Sequence, residues 1–276
     1  MTNSSDTTLL VPLDGTPAAT AALSVAETLA RRTGSLLRLI HISDRPLPAR
    51  QLCEQVGAGP AHMRQGVLDW LTGPPVTTLL QAVRESSHPV IVMCSHSAPL
   101  RPDASLGRTA AEVIAAAACP IILVRPERGS VPWKLDRLLV PYDGTPATAT
   151  ALRPAIELAD RVSAALLVLH IADPTPPREE GTFAAPRYLD QLHHEWPVWA
   201  REFLARLCCL ADLGTCATSR LRVTRGEPAA EIVRFAGGED IDLIVVGWHG
   251  RLETGRADVL KRLLLTAPCP VLLSRG

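Results

Sequence analysis

The sequence predicts an α/β protein of two tandem doubly wound domains, each built on a five-stranded parallel sheet. Three observations predict it: the chain suffices for two ordinary domains, its opening and closing motifs each occur twice, and short Val/Ile/Leu runs alternate with alanine-rich helical patterns. A chain of 276 residues can bury a separate core in each half.

The repeat is the strongest of the three. Leu9-Leu10-Val11-Pro12-Leu13-Asp14-Gly15-Thr16-Pro17-Ala18 returns as Leu138-Leu139-Val140-Pro141-Tyr142-Asp143-Gly144-Thr145-Pro146-Ala147. Near the end of each copy, Ala118-Cys119-Pro120-Ile121-Ile122-Leu123 returns as Pro268-Cys269-Pro270-Val271-Leu272-Leu273. The offset grows from 129 (143 − 14) to 150 (269 − 119), so the second copy carries extra residues, which lie largely in 174–216. Arg125 to Lys134, with Pro126, Gly129, Ser130 and Pro132, reads as a short linker between domains at 1–125 and 135–276.

Strands covered on both faces appear as continuous apolar runs, and in the second copy these are Leu138–Pro141, Ala165–His170, Arg220–Thr224, Leu243–Val246 and Val271–Leu273. The first helix of each copy starts with Thr16 or Thr145 as N-cap and Pro17 or Pro146 in the first helical position, and Gly34 closes it in copy one. Copy one places its third strand near Val67–Leu71. Copy two offers a long helix over Tyr188–Leu210, with Leu189, Leu192, Trp196, Trp199, Phe203 and Leu207 spaced at three and four.

Charge is balanced, 28 Lys and Arg against 28 Asp and Glu, so no net field draws the chain to nucleic acid or to an anionic membrane. The polar start Met1–Asp6 lacks the pattern of a signal peptide, no apolar run reaches membrane-spanning length, and a cytoplasmic protein is expected. Seven cysteines without a CxxC point to neither a disulfide framework nor a zinc site. Cys119 and Cys269 read as core residues, and vicinal Cys208-Cys209 as packed rather than reactive.

In doubly wound sheets a ligand lies beyond the carboxyl ends of the strands where strand order reverses, here after strands one and four. Asp14 and Asp143 follow strand one. Cys94-Ser95-His96-Ser97 and Gly247-Trp248-His249-Gly250 follow strand four. The aspartates can hydrogen-bond a base or simply form the turn that starts a helix. His96 and His249 can touch a phosphate, although loop histidines without a role are commoner. On His193-His194-Glu195, consecutive side chains diverge, so no metal set is defined.

Taken together, "LLVPLDGT", "LLVPYDGT", "DLIVVGWHGR" and "APCPVLLSR" resemble the universal stress protein family, whose fourth strand runs into Gly-x2-Gly-x9-Gly-(Ser/Thr). The resemblance implies a Rossmann-like fold of the adenine nucleotide alpha hydrolase type, and a ligand-binding stress protein rather than an enzyme, for which slow ATP hydrolysis would not be surprising. In its nucleotide-binding branch the Asp contacts adenine, and the glycine loop with the following hydroxyl wraps the phosphates of ATP, with Mg2+. Carried over, the contacts are Asp14, Ile42, Cys94, Ser97, Gly107, Arg108 and Thr109 in copy one, and Asp143, Ile171, Gly247 and Gly250 in copy two. Copy one keeps the spacing, with nine residues between Ser97 and Gly107, but replaces two glycines by Cys94 and Ser97. Arg108 is then a cation for phosphate.

Copy two keeps Gly247 and Gly250, yet its loop is shorter by three residues and Ala257-Asp258 stand in the last positions, where an acid repels phosphate unless Thr254 and Gly255 re-register. The family also implies pairing of the copies through the last strand as an intramolecular pseudo-dimer, with a homodimer of chains and an unknown protein partner as further expectations. A scaffold that binds no nucleotide is the alternative. An ATP pyrophosphatase ranks last, because Asp-Gly-Thr-Pro stands where its Ser-Gly-Gly-x-Asp-Ser loop belongs.

Overall fold

The computed structural model describes residues 7–45, 48–55, 66–96, 106–126, 133–142, 146–172, 219–248 and 256–275. The strands of the first half are β1 (Thr8–Pro12), β2 (Leu36–Ile42), β3 (Gly66–Leu71), β4 (Pro89–Cys94) and β5 (Ile121–Val124). Those of the second are β6 (Arg137–Tyr142), β7 (Ala165–Ala172), β8 (Ser219–Arg225), β9 (Leu243–Trp248) and β10 (Val271–Arg275). All ten join one sheet in the order β3-β2-β1-β4-β5-β10-β9-β6-β7-β8. Each half thus repeats one doubly wound order, with strand one beside strand four. Neighbours run parallel except β5 and β10, which pair antiparallel with Ile122 opposite Leu272.

Alternation along the strands feeds two cores. Leu9, Val11, Leu138 and Val140 face one side, under α1 (Pro17–Thr33) and α6 (Leu152–Val162). Leu10, Ile91, Leu139 and Ile244 face the other, under α3 (Pro75–Arg84), α4 (Arg108–Ala116), α7 (Pro228–Gly238) and α8 (Arg256–Thr266). Both clusters run through both halves, which explains why the strands are apolar almost throughout. The remaining helices are the short α2 (Ala49–Gln55) and α5 (Pro146–Ala149).

Helix α1 starts and stops where its sequence says it should. Thr16 Oγ1 accepts from the amide of Ala19, Pro17 opens the helix, and Gly34 ends it in the left-handed region at φ 70°. The second half departs from a single first helix: α5 and α6 are separate, broken at Thr150-Ala151. Pro154 has no amide to donate to the carbonyl of Thr150, and its ring crowds that carbonyl. Val25 holds the corresponding place in the unbroken α1. The matching cap at Thr145 and the helix expected over Tyr188–Leu210, with His193, His194 and Cys208-Cys209, lie outside the described residues.

Two arginines cross between the halves at matching positions. Arg125, just after β5, donates to the carbonyl of Ala267 at the end of α8, 3.3 Å away. Arg275, closing β10, donates to the carbonyl of Ala117 at the end of α4. Each places a cation on a helix C-terminus whose last carbonyls lack intrahelical partners. Cys119 and Cys269 are buried, and burial pushes the Cys119 thiol up.

Candidate functional site

Strand β1 leads through α1 to β2 on one side, while β4 lies on the other, so the strand order of the first half reverses between β1 and β4. A cavity of about 250 Å3 opens at the carboxyl ends of these strands. Its apolar wall is Pro12 and Leu13 from the end of β1, Ile40 and Ile42 from β2, and Met93 from β4. Asp14, Cys94, Ser95 and His96 add polar atoms, and Gly107, Arg108 and Thr109 bring the start of α4.

Asp14 is exposed and folds back on its own turn: Oδ1 accepts from the Thr16 amide at 2.9 Å and from the Thr16 hydroxyl at 2.7 Å. Gly15 supplies the positive φ of 83° that this turn requires. The carboxylate therefore serves as a helix-start residue and stands at the cavity mouth at once.

At the end of β4, Ser95 is buried and its amide donates to the carbonyl of Val124 at 2.9 Å. Its hydroxyl lies 2.9 Å from Nδ1 of His96. Gly107 then crosses close to this strand end, donating its amide to the Ser95 carbonyl at 3.1 Å. A Cβ on Gly107 would stand 2.9 Å from that oxygen, so the backbone approach demands glycine. Among the described residues no side chain caps α4, whose N-cap is Gly107, and its first intrahelical bond runs from the amide of Ala111 to the carbonyl of Gly107, 2.9 Å. The amides of Arg108, Thr109 and Ala110 precede that bond, giving an electropositive helix end at the cavity. Arg108 is 93% exposed and reaches Glu112 at 3.5 Å, a contact weak enough to be given up to a ligand.

Of the residues expected at the first site, Asp14, Ile42, Cys94, Gly107, Arg108 and Thr109 line this one cavity, while Ser97 lies outside the described residues. In the second half Asp143 and Gly250 also lie outside them. Gly247 sits in β9 opposite Ser274, and Ile171 at the end of β7 packs on the same core layer as Ile42. Asp258 is in the first turn of α8, 73% exposed and 3.9 Å from Lys261. That acid suits the helix dipole and opposes an anion, the reverse of α4. Sequence reasoning missed Pro12, Met93 and Pro75 as wall residues; their positions at strand ends and at a helix start were the available signal. Among the described residues no group of three His, Cys, Asp or Glu could hold a metal, and no helix is long and apolar enough to cross a membrane.

A part-apolar cavity beside a helix N-terminus, set at the reversal point of a doubly wound sheet, defines an open α/β protein with a cleft where ligands of such sheets lie. The chain belongs to the universal stress protein family: the model of that family matches residues 134–275, just over half of the chain. A Thermus aquaticus universal stress protein, named for its place in the QAH/OAS sulfhydrylase 3′ region, is 30% identical over 141 residues, which are 50% of this chain and 97% of that protein. The Bacillus subtilis universal stress protein YxiE is 30% identical over 148 residues, 51% of this chain and 99% of its own. These relatives are single-copy lengths. The crystal structure of a universal stress protein from Archaeoglobus fulgidus matches 100% of this chain and 99% of its own at a TM-score of 0.66 and 14% identity, a likeness of fold.

Proposed function

We propose that this protein binds ATP or a related adenine nucleotide, with Mg2+, in its first half, and acts as a cytoplasmic stress-response binding protein rather than an enzyme. The observation that carries the proposal is the meeting of Asp14, Ile42 and the N-terminal turn of α4 around one cavity. In this reading the base rests against Ile40, Ile42 and Met93, with Asp14 accepting from its amino group. The phosphates lie at Gly107–Thr109, where backbone amides, the helix dipole and Arg108 all favour an anion. A volume of about 250 Å3 is close to the lower end of the roughly 300–1,000 Å3 of small-molecule sites and suits base and sugar, with the phosphates outside.

The two units of this reading are 1–125 and 135–276, paired as a pseudo-dimer through β5 and β10. The second half, with Asp258 at its helix start, serves as the poorer site or as a partner surface. Calorimetric titration with Mg-ATP tests the proposal. Saturable binding near one ligand per chain is expected, weakened at least about tenfold in Asp14→Ala and in Arg108→Glu, a change of about 1.4 kcal/mol. Absence of heat in the wild type leaves the scaffold reading in its place, which the self-satisfied Asp14 turn favours.

A further inference from the structure

Two buried histidines occupy one position in the two halves and have no part in the site as described. His41 in β2 is 4% exposed and His170 in β7 fully buried, and they are 129 residues apart (170 − 41). Each ring bonds through Nδ1 to the carbonyl at the end of strand one of its own half: His41 to Leu13 at 2.9 Å, His170 to Tyr142 at 3.0 Å. A carbonyl only accepts, so Nδ1 carries the hydrogen. Nε2 of His41 is buried with no hydrogen-bond partner among the described residues. An unsatisfied buried nitrogen costs stability, and a leucine of similar bulk would fill the space without it. What the ring adds is its Nδ1–H.

The position of that donor gives it a use. Ile40 and Ile42 line the cavity, so His41 between them points to the opposite face of the sheet, the one covered by α1. It therefore does not touch a ligand. Its bond acts on the carbonyl of Leu13, where β1 ends with the Leu13 amide donating to Ile40 at 2.8 Å. The next residue is Asp14. With its amide held by one strand residue and its carbonyl by the next, Leu13 is anchored at both polar groups immediately before the cavity aspartate.

We infer that His41 is a positioning residue of the pocket: its Nδ1–H fixes the Leu13 carbonyl and thereby sets the place of the Asp14 carboxylate at the cavity mouth. The inference rests on the nucleotide reading for its functional consequence and on the backbone geometry alone for its structural one.

A double-mutant cycle separates the two. In Mg-ATP titrations His41→Leu is expected to lose about tenfold in affinity. His41→Asn, whose side-chain amide can donate from a similar place, recovers most of the loss, and in Asp14→Ala the His41→Leu change adds nothing. Independent, additive losses, or equal losses for Leu and Asn, overturn the inference, since a merely structural role would lower the melting temperature without coupling to Asp14. If wild type binds no Mg-ATP, the nucleotide reading fails, and amide exchange decides the rest. The Thr16 amide, held by Asp14 Oδ1, is then expected to exchange faster in His41→Leu than in wild type or His41→Asn, and unchanged exchange overturns the positioning role.

Discussion

At the scale of single residues, local chemistry sets what each side chain can do, and Glu231 is the clearest case. Its carboxylate accepts from Arg234 at 2.6 Å and from the Thr224 hydroxyl at 2.7 Å, tying the start of α7 to the end of β8. The Arg234 guanidinium first, and the Thr224 hydroxyl second, hold the Glu231 carboxyl below the usual carboxylate range. A depressed acid contributes stability above its ordinary value of about 4.3, and the contribution is lost as pH falls through the lowered value. Urea midpoints measured down the acid range should therefore fall more steeply in wild type than in Glu231→Gln, which lacks the titrating group. Identical slopes would show that the contact is broken in solution. Gly107 shows the other limit of this scale: its importance looks like phosphate chemistry in the motif, yet the oxygen 2.9 Å from its absent Cβ makes glycine necessary for packing alone.

Elements are where the two halves can be compared as one design used twice. Helix α1 ends on Gly34 at φ 70°, and 129 residues on (163 − 34) helix α6 ends on Ser163 at φ 54°. A side chain in the left-handed region carries a steric cost of roughly 1–2 kcal/mol that glycine escapes, less the entropy that glycine loses on folding. Ser163→Gly is thus expected to stabilise the chain by about 0.5–1 kcal/mol, read from the denaturant midpoint at unchanged slope. No gain would mean that the Ser163 hydroxyl or backbone has a compensating partner. The strands, the cap at Thr16 and the stop at Gly34 were all legible because they depend on neighbours within a few residues. Pro154 was legible as a residue, but the split of α5 from α6 was not drawn from it, because the repeat suggested a helix like α1.

For the whole molecule, the merging of two five-stranded sheets is the decisive feature. The antiparallel pairing of β5 with β10 continues the hydrogen-bond ladder between the halves, and the exchanged arginines clamp its two flanks. Arg32 at the end of α1 adds further bonds across the halves, to the carbonyls of Leu135 at 3.3 Å and Val162 at 2.5 Å and to the Asp136 carboxylate at 3.2 Å. Arg275→Ala should lower the unfolding free energy by about 1 kcal/mol, leaving one carbonyl at the end of α4 without its cation. Because both cores run through both halves, the loss is expected to shift a single cooperative transition rather than to split it, which calorimetry of the full chain can decide. Two resolved transitions would mean that the halves are energetically separate.

By itself the sequence determined the duplication, the strands and the ends of α1, and it singled out Asp14, Cys94 and Gly107, which line the first cavity. Each of these is written in local signals: apolar periodicity, turn and cap chemistry, and a motif repeated at matched spacing. Tertiary structure alone decided the register of β5 against β10, the crossing of Arg125 and Arg275, the packing need for Gly107 and the bond of His41 to the Leu13 carbonyl. These depend on contacts between residues distant along the chain, up to 158 apart for Arg275 and Ala117, and nothing in a residue's own neighbourhood records which distant backbone atom it will meet.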